Sequence, residues 1–140
     1  IGYVPQDIYL IDDTIEKNIA FGLEEDEIDR RMIEKCLKAA QLSEFIESLP
    51  KKLKTLVGER GVRISGGQLQ RIGIARALYN DPKILVLDES TSSLDIETEN
   101  RVMDGIIKLK GIITILIISH RLSTVEKCDK IFSLEDGKVK

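Results

Sequence analysis

The chain has 140 residues, with 21 lysines and arginines against 24 aspartates and glutamates and a net charge of −3. That length supports one core rather than two, and the mildly acidic balance leaves no basic footprint for nucleic acid. Cys36 and Cys128 lie far apart and lack metal-ligand spacing, which suggests free thiols rather than a disulfide framework. The longest apolar run, 112–118, is far too short to span a bilayer. No signal-peptide pattern opens the chain. It begins without Met in a strand-like Ile1-Gly2-Tyr3, so a piece of a longer protein is expected.

In chain order, residues 1–4 read as the end of a strand stopped by Pro5. Asp12 or Asp13 is placed to cap a short helix over 14–21 that Gly22 ends. Over 25–40, Ile28, Met32, Cys36 and Ala40 recur at four-residue spacing beside Ile33 and Leu37, which predicts one amphipathic helix. The acidic cluster Glu24-Glu25-Asp26-Glu27 is its solvated first turn, complementing the helix dipole. Ser43 is placed to cap another helix reaching 49, which Pro50 ends, and 51–62 is a polar connection.

Ser65 then opens a helix to about Tyr79, with Gln68 at capping-box spacing, and Asn80-Asp81-Pro82 stops it. From there the pattern becomes strand–helix alternation. A continuous apolar strand occupies 84–87, as expected when both faces are covered. Asp95 caps a helix to about 108, and a second buried strand follows at 112–118. A short helix comes after His120, then a third strand over 130–134 and a hairpin turn centred on Asp136-Gly137. The expected division is 1–8 as the end of one part of an α/β core, 9–76 as an inserted α-helical subdomain, and 77–140 as the rest of the core.

Several residues could carry chemistry. Asp88-Glu89 lies just past a buried strand, at the sheet edge where ligands of open parallel sheets bind. Adjacent side chains there point different ways, so one carboxylate can hold a hydrated Mg2+ while the other orients and deprotonates a water. Ser65-Gly66-Gly67 offers free backbone N–H groups at a helix start, where glycines admit an anion closely. His120, the only histidine, follows the 112–118 strand at the same edge and could donate to a terminal phosphate oxygen. Gln6 follows a strand too, and its amide oxygen can ligate Mg2+ or hold a water. Taken singly, each of these is as easily a solvated loop residue or a plain helix cap. No G-x-x-x-x-G-K-[ST] phosphate loop occurs anywhere in the sequence.

In this order the motifs resemble the nucleotide-binding domain of an ATP-binding-cassette (ABC) transporter over the whole chain. Tyr3-Val4-Pro5-Gln6-Asp7 resembles the Q-loop, and Ile64 to Arg71, through Ser65-Gly66-Gly67-Gln68, the signature, with Ile64 where Leu is usual. Ile-Leu-Val-Leu-Asp88-Glu89 resembles Walker B, Ser93-Leu94-Asp95 the D-loop, and Ser119-His120-Arg121-Leu122-Ser123 the H-loop. Thr14 to Ile19 and Thr55-x-Val57-Gly58-Glu59-Arg60-Gly61 resemble the exporter branch, and the tail from His120 to Lys138 is similar to lipid-linked-oligosaccharide flippases.

The resemblance implies a P-loop NTPase-type parallel sheet and two domains that sandwich two ATP molecules head to tail. It gives Glu89 the role of general base, Asp88 the Mg2+ shell, Gln6 the metal and attacking water, and His120 the γ-phosphate. Ser65, Gly66, Gly67 and Gln68 would serve the partner's ATP, and Asp95 would couple the two sites. A transmembrane domain would dock on the helical subdomain and the 55–61 loop, at the cytoplasmic face of a membrane. Without its phosphate loop this chain is expected to be inactive alone. The missing phosphate-loop strand is expected to leave a gap, or a non-native closure, between the 112–118 and 130–134 strands. A chromosome-maintenance ATPase, or a non-enzymatic interaction fragment, is the alternative.

Overall fold

The computed structural model describes residues 1–59 and 61–140, and of Leu122 and Ser123 the backbone alone. Three parallel strands, β1 (Gly2–Val4), β2 (Ile84–Asp88) and β3 (Thr114–Ile118), form a sheet in the order β1-β2-β3. Val4 pairs with Leu87, and Leu87 with Ile117, so all three carboxyl ends emerge at one edge. The long loop between β1 and β2 carries four helices: α1 (Ile15–Ile19), α2 (Arg30–Ala39), α3 (Ser43–Ser48) and α4 (Gly66–Tyr79). α5 (Ile96–Ile107) connects β2 to β3, and α6 (Leu122–Val125) follows β3. The whole is the α/β class expected, a parallel sheet with a helical insertion.

α4 is the pillar of the fold. It buries Ile72, Ile74, Ala75, Leu78 and Tyr79, and packs against α1, α2 and β1. Leu85 and Leu87 of β2 join Val102, Met103 and Ile106 of α5 in the same core as Ile33 and Leu37 of α2. Each such side chain contributes about 1.5–3 kcal/mol on burial. α5 also approaches α2 so closely that a Cβ on Gly105 would lie 2.5 Å from the Ala39 carbonyl oxygen. The helical insertion is thereby fused to the sheet layer.

Local boundaries differ from the sequence pattern in ways that hydrogen bonds explain. α1 is capped by Thr14, whose hydroxyl accepts from Lys17 N at 3.2 Å; Asp13 instead accepts from Thr14 N. The predicted single helix over 25–40 is broken. Glu24–Glu27 closes its own 3₁₀ turn, Ile28 is extended, and Asp29 starts α2 by accepting from Arg31 N and Met32 N. Ser43 does not cap α3: the tight turn at Gln41 (φ 55°) puts Leu42 at the cap position.

The strands depart more. β3 pairs with β2 on one side and, among the described residues, with no strand on the other. It is therefore not buried as its composition predicts; Leu116 is 53 % and Ile118 47 % exposed. Residues 130–133 form no strand, because the ladder they would need is not there. The chain pairs only at β4 (Leu134–Glu135) and β5 (Lys138–Val139), across an Asp136-Gly137 turn with both φ positive (49° and 72°), as a two-residue hairpin requires. The open edge of β3 agrees with the expected gap, but the strand expected on its far side forms only as β4, which pairs with β5 in a separate two-stranded sheet. Cys36 and Cys128 are both free; burial pushes the Cys36 thiol up to about 11, leaving it unreactive. No helix among the described residues is long and apolar enough to cross a membrane.

Candidate functional site

The site grows from the way β2 ends. After Ile84-Leu85-Val86-Leu87, Asp88 is the last ladder residue, paired with Ile118. Glu89 then turns into the left-handed region at φ 46°. A non-glycine residue held there costs about 1–3 kcal/mol, and such strain persists where neighbours over-determine it. Here Glu89 N donates to Ile118 O at 2.9 Å, and Glu89 O accepts from Ser92 N at 3.1 Å. The turn lifts the Glu89 carboxylate off the sheet and starts the loop 90–95.

Two contacts fix the two carboxylates. The Tyr3 hydroxyl donates to Asp88 Oδ2 at 3.0 Å, across from β1, and that bond holds the phenol above its usual 10. His120 Nδ1 lies 3.3 Å from Glu89 Oε1. A carboxylate only accepts, so the bond places the imidazole proton on Nδ1 and leaves Nε2 facing outward. For Nε2 to donate as well, the ring must be an imidazolium. Gln6 is exposed, two residues beyond Val4 as Glu89 is two beyond Leu87, so it reaches the same edge.

The residues fit Mg2+ in one particular way. No group of three or more His, Cys, Asp or Glu side chains converges among the described residues. Asp88 stands as a single anchored carboxylate with Gln6 on the neighbouring strand end. Mg2+ is usually held by one or two carboxylates plus substrate phosphates and waters, not by an all-protein cage. That donor set suits a metal arriving with a nucleotide.

The helix start at Ser65 is a complete capping box. Ser65 Oγ accepts from Gln68 N at 3.2 Å and Gln68 Oε1 accepts from Ser65 N at 3.0 Å. Gln68 is thus committed to the cap, while Gly66 and Gly67 leave the first turn bare of side chains. Those glycines also face the loop 90–95: a Cβ on Gly66 would lie 3.4 Å from Ser93 Cβ, and one on Gly67 3.3 Å from Leu94 Cδ2. Asp95 caps α5 by accepting from Thr98 N at 2.9 Å, and that bond chiefly holds its carboxyl below the usual range. The structure therefore brings Asp88, Glu89 and His120 together at one edge, with Gln6 beside them. Ser65, Gly66, Gly67, Gln68 and Asp95 cluster separately, joined to that edge through the loop 90–95.

Sequence reasoning passed over the residues that make this join. Gln70 Nε2 donates to Ser92 Oγ at 3.1 Å, and Gln70 Oε1 accepts from Ser93 N at 3.0 Å. Glu99 is buried, with Arg121 Nη1 2.5 Å from its Oε2 and both Thr91 and Thr124 hydroxyls on its Oε1. Burial pushes the Glu99 carboxyl up, but bonds from Thr124, Arg121 and Thr91, with the Arg121 charge, outweigh it and hold it low. One signal was legible: Glu99 lies on the same helical stripe as Val102, Met103 and Ile106, an odd place for a carboxylate facing solvent. Of the exporter-like loop, Thr55 and Val57 are buried and Leu56 is half exposed, while Arg60 lies outside the described residues.

A family model described as ABC transporter matches residues 1–92. The ATP-dependent lipid A-core flippase of Cupriavidus pinatubonensis (strain JMP 134 / LMG 1197) is 46% identical over 140 residues, covering 99% of this chain and 24% of that protein. That of Coxiella burnetii (strain RSA 493 / Nine Mile phase I) is 49% identical over 138 residues, covering 99% and 23%. A solved bacterial Atm1-family ABC exporter with ATP bound matches at a TM-score of 0.90 and 40% identity, covering 99% of this chain and 24% of that one. The chain spans about a quarter of the length of the relatives it matches.

Proposed function

Because the chain belongs to the ABC transporter family, we propose that it supplies the catalytic edge of an ATP-hydrolysing domain in an exporter or lipid flippase. The observation that carries the reading is the Glu89–His120 contact of 3.3 Å at the strand edge that also bears Asp88. Phosphoryl transfer to water asks a protein mainly for positioning and charge stabilisation. Glu89 accepts the proton of the attacking water and is aimed by its strained turn and by His120. Asp88, held by Tyr3, and Gln6 hold the Mg2+ that arrives with ATP; when bound, the metal neutralises charge on the phosphate oxygens. His120 donates to the terminal phosphate through Nε2, while its Nδ1–H stays directed at the Glu89 carboxylate.

Ser65, Gly66 and Gly67, with Gln68 keeping the helix start in shape, present N–H groups and a positive dipole end to the ATP of a second such domain. Asp95 links that helix start to the local site. On this reading residues 1–8 and 77–140 belong to the ATPase core and 9–76 to the helical subdomain. The subdomain and the 55–61 loop face a transmembrane domain, at the cytoplasmic side of the membrane. The curated relatives are named lipid A-core flippases, a different cargo from the lipid-linked oligosaccharide expected from the tail; they support a lipid-flipping role. These 140 residues alone do not turn over MgATP, since none of them forms the phosphate loop.

The test is Glu89→Gln in the full-length protein that carries this sequence. Removing a general base slows turnover by roughly 10²–10⁴, or about 3–5 kcal/mol of barrier, while ATP binding persists. Near wild-type phosphate release from that variant would contradict the assignment.

A further inference from the structure

We propose that Arg121 and Glu99 are positioning residues for this ATPase, a buried brace that ties the loop 90–95 to the loop carrying His120. The inference rests on the reading above. Arg121 follows His120 directly, so fixing its guanidinium constrains the backbone from which the imidazole projects. The guanidinium is held at three points: Nη1 on Glu99 Oε2 at 2.5 Å, Nη2 on Ser92 O at 2.9 Å, and Nη1 again near Leu94 O at 3.5 Å. Glu99 is in turn immobilised, its other oxygen accepting from Thr91 at 2.9 Å and Thr124 at 2.7 Å. Thr91 precedes Ser92 in the same loop and Thr124 lies in α6, so one carboxylate gathers the strand-end loop, α5 and the helix after His120.

The other side of that loop is held by α4. Gln70 donates to the Ser92 hydroxyl and accepts from the Ser93 N–H, about one and a half helical turns from the Ser65 cap. The bonded path therefore runs from the Ser65 helix through Gln70 and Ser92 to Arg121, and so to His120 and Glu89. Every group on it is a directional donor or acceptor, part-buried from Gln70 to Arg121 and exposed at His120, so a displacement at one bond alters the next. A partner nucleotide pressing on the Ser65 helix start would move the loop 90–95, and Arg121 would transmit that movement to the imidazole 3.3 Å from the general base. A plain stabilising ion pair would not need the two carbonyl contacts to Ser92 and Leu94.

The experiment uses the full-length protein and measures kcat and KM for MgATP together with the melting temperature. Four variants are compared: Arg121→Met, Arg121→Lys, Arg121→Met with Glu99→Leu, and Glu89→Gln. Arg121→Met is expected to lower kcat by about tenfold to a hundredfold, the scale of a misplaced catalytic group, with KM within about threefold. Arg121→Lys keeps the charge but not the fork, and is expected to lose kcat while melting near wild type. The double variant removes both charges, so it recovers melting temperature lost by Arg121→Met yet not kcat. Wild-type kcat in Arg121→Lys, or recovery of kcat along with stability in the double variant, would show a structural pair only and overturn the inference. A dead Glu89→Gln beside a fully active Arg121→Met would overturn the brace and leave the ATPase reading standing. A fully active Glu89→Gln would remove the reading and the brace together.

Discussion

Two regions of similar length and opposite composition are ordered in the reverse of what their apolar content suggests. The edge formed by residues 88–95 and 119–121 is short, polar and densely bonded: Tyr3, Gln70 and Glu99 each reach into it from a different element, β1, α4 and α5. The stretch 130–139 is richer in Ile, Phe, Leu and Val, yet Ile131, Phe132, Leu134 and Val139 are all more than half exposed. Apolar content alone does not bury a chain. What orders the first region is that its donors and acceptors have partners on neighbouring elements. What leaves the second open is that β3 offers a ladder edge that none of the described strands takes up.

The contrast can be broken or sharpened by substitution. The largest expected effect is in the core beneath the ordered edge. Leu85 is fully buried, and Leu85→Ala should cost about 2–5 kcal/mol by chemical denaturation; a loss under about 1 kcal/mol would contradict the place of β2 in the core. A smaller effect should follow pH. The bonds to Glu99 hold its folded-state pKa below the ordinary 4.5, so the unfolded chain binds protons first as pH falls. The stability contributed by Glu99 is therefore complete above about pH 4.5 and is lost as pH falls through the depressed folded value. A Glu99→Gln variant should show a shallower acid loss than wild type in denaturation series from about pH 6 to about pH 3; identical slopes would place the acid sensitivity elsewhere. The smallest effect belongs to the open region. Phe132 is 69 % exposed, and Phe132→Ala should change stability by no more than about 0.5 kcal/mol. A larger loss in a longer chain would show that this region is covered there.

Much of this was legible because its signals are local. The Ser65–Gln68 box, the Asp95 cap, the apolar run of β2 and the Asp136-Gly137 turn are each specified within four or five residues, and each forms as read. The strand expected at 130–134 fails because a strand needs a partner, which no local pattern supplies. Thr14 rather than Asp13 caps α1 because a one-residue difference in where the helix starts decides which side chain meets the free N–H. The site residues at strand ends were reachable from the motif order, but the groups that aim them were not. Glu99, Gln70 and Arg121 act through contacts 8 to 29 residues away in sequence, which only the folded chain displays.

The central claim is that the Glu89 edge serves one nucleotide while the Ser65 helix start serves the partner's. It is tested most directly by co-expressing two inactive versions of the full-length protein, one Glu89→Gln and the other Ser65→Arg, and measuring MgATP turnover of the purified mixed dimer. If the two regions act on different nucleotides, one of the two sites in that dimer keeps an unaltered Glu89 facing an unaltered Ser65. The mixed dimer should then turn over ATP well above either homodimer. Turnover no higher than that of the homodimers, with the mixed dimer shown to assemble, would place Glu89 and Ser65 at the same nucleotide and contradict the claim.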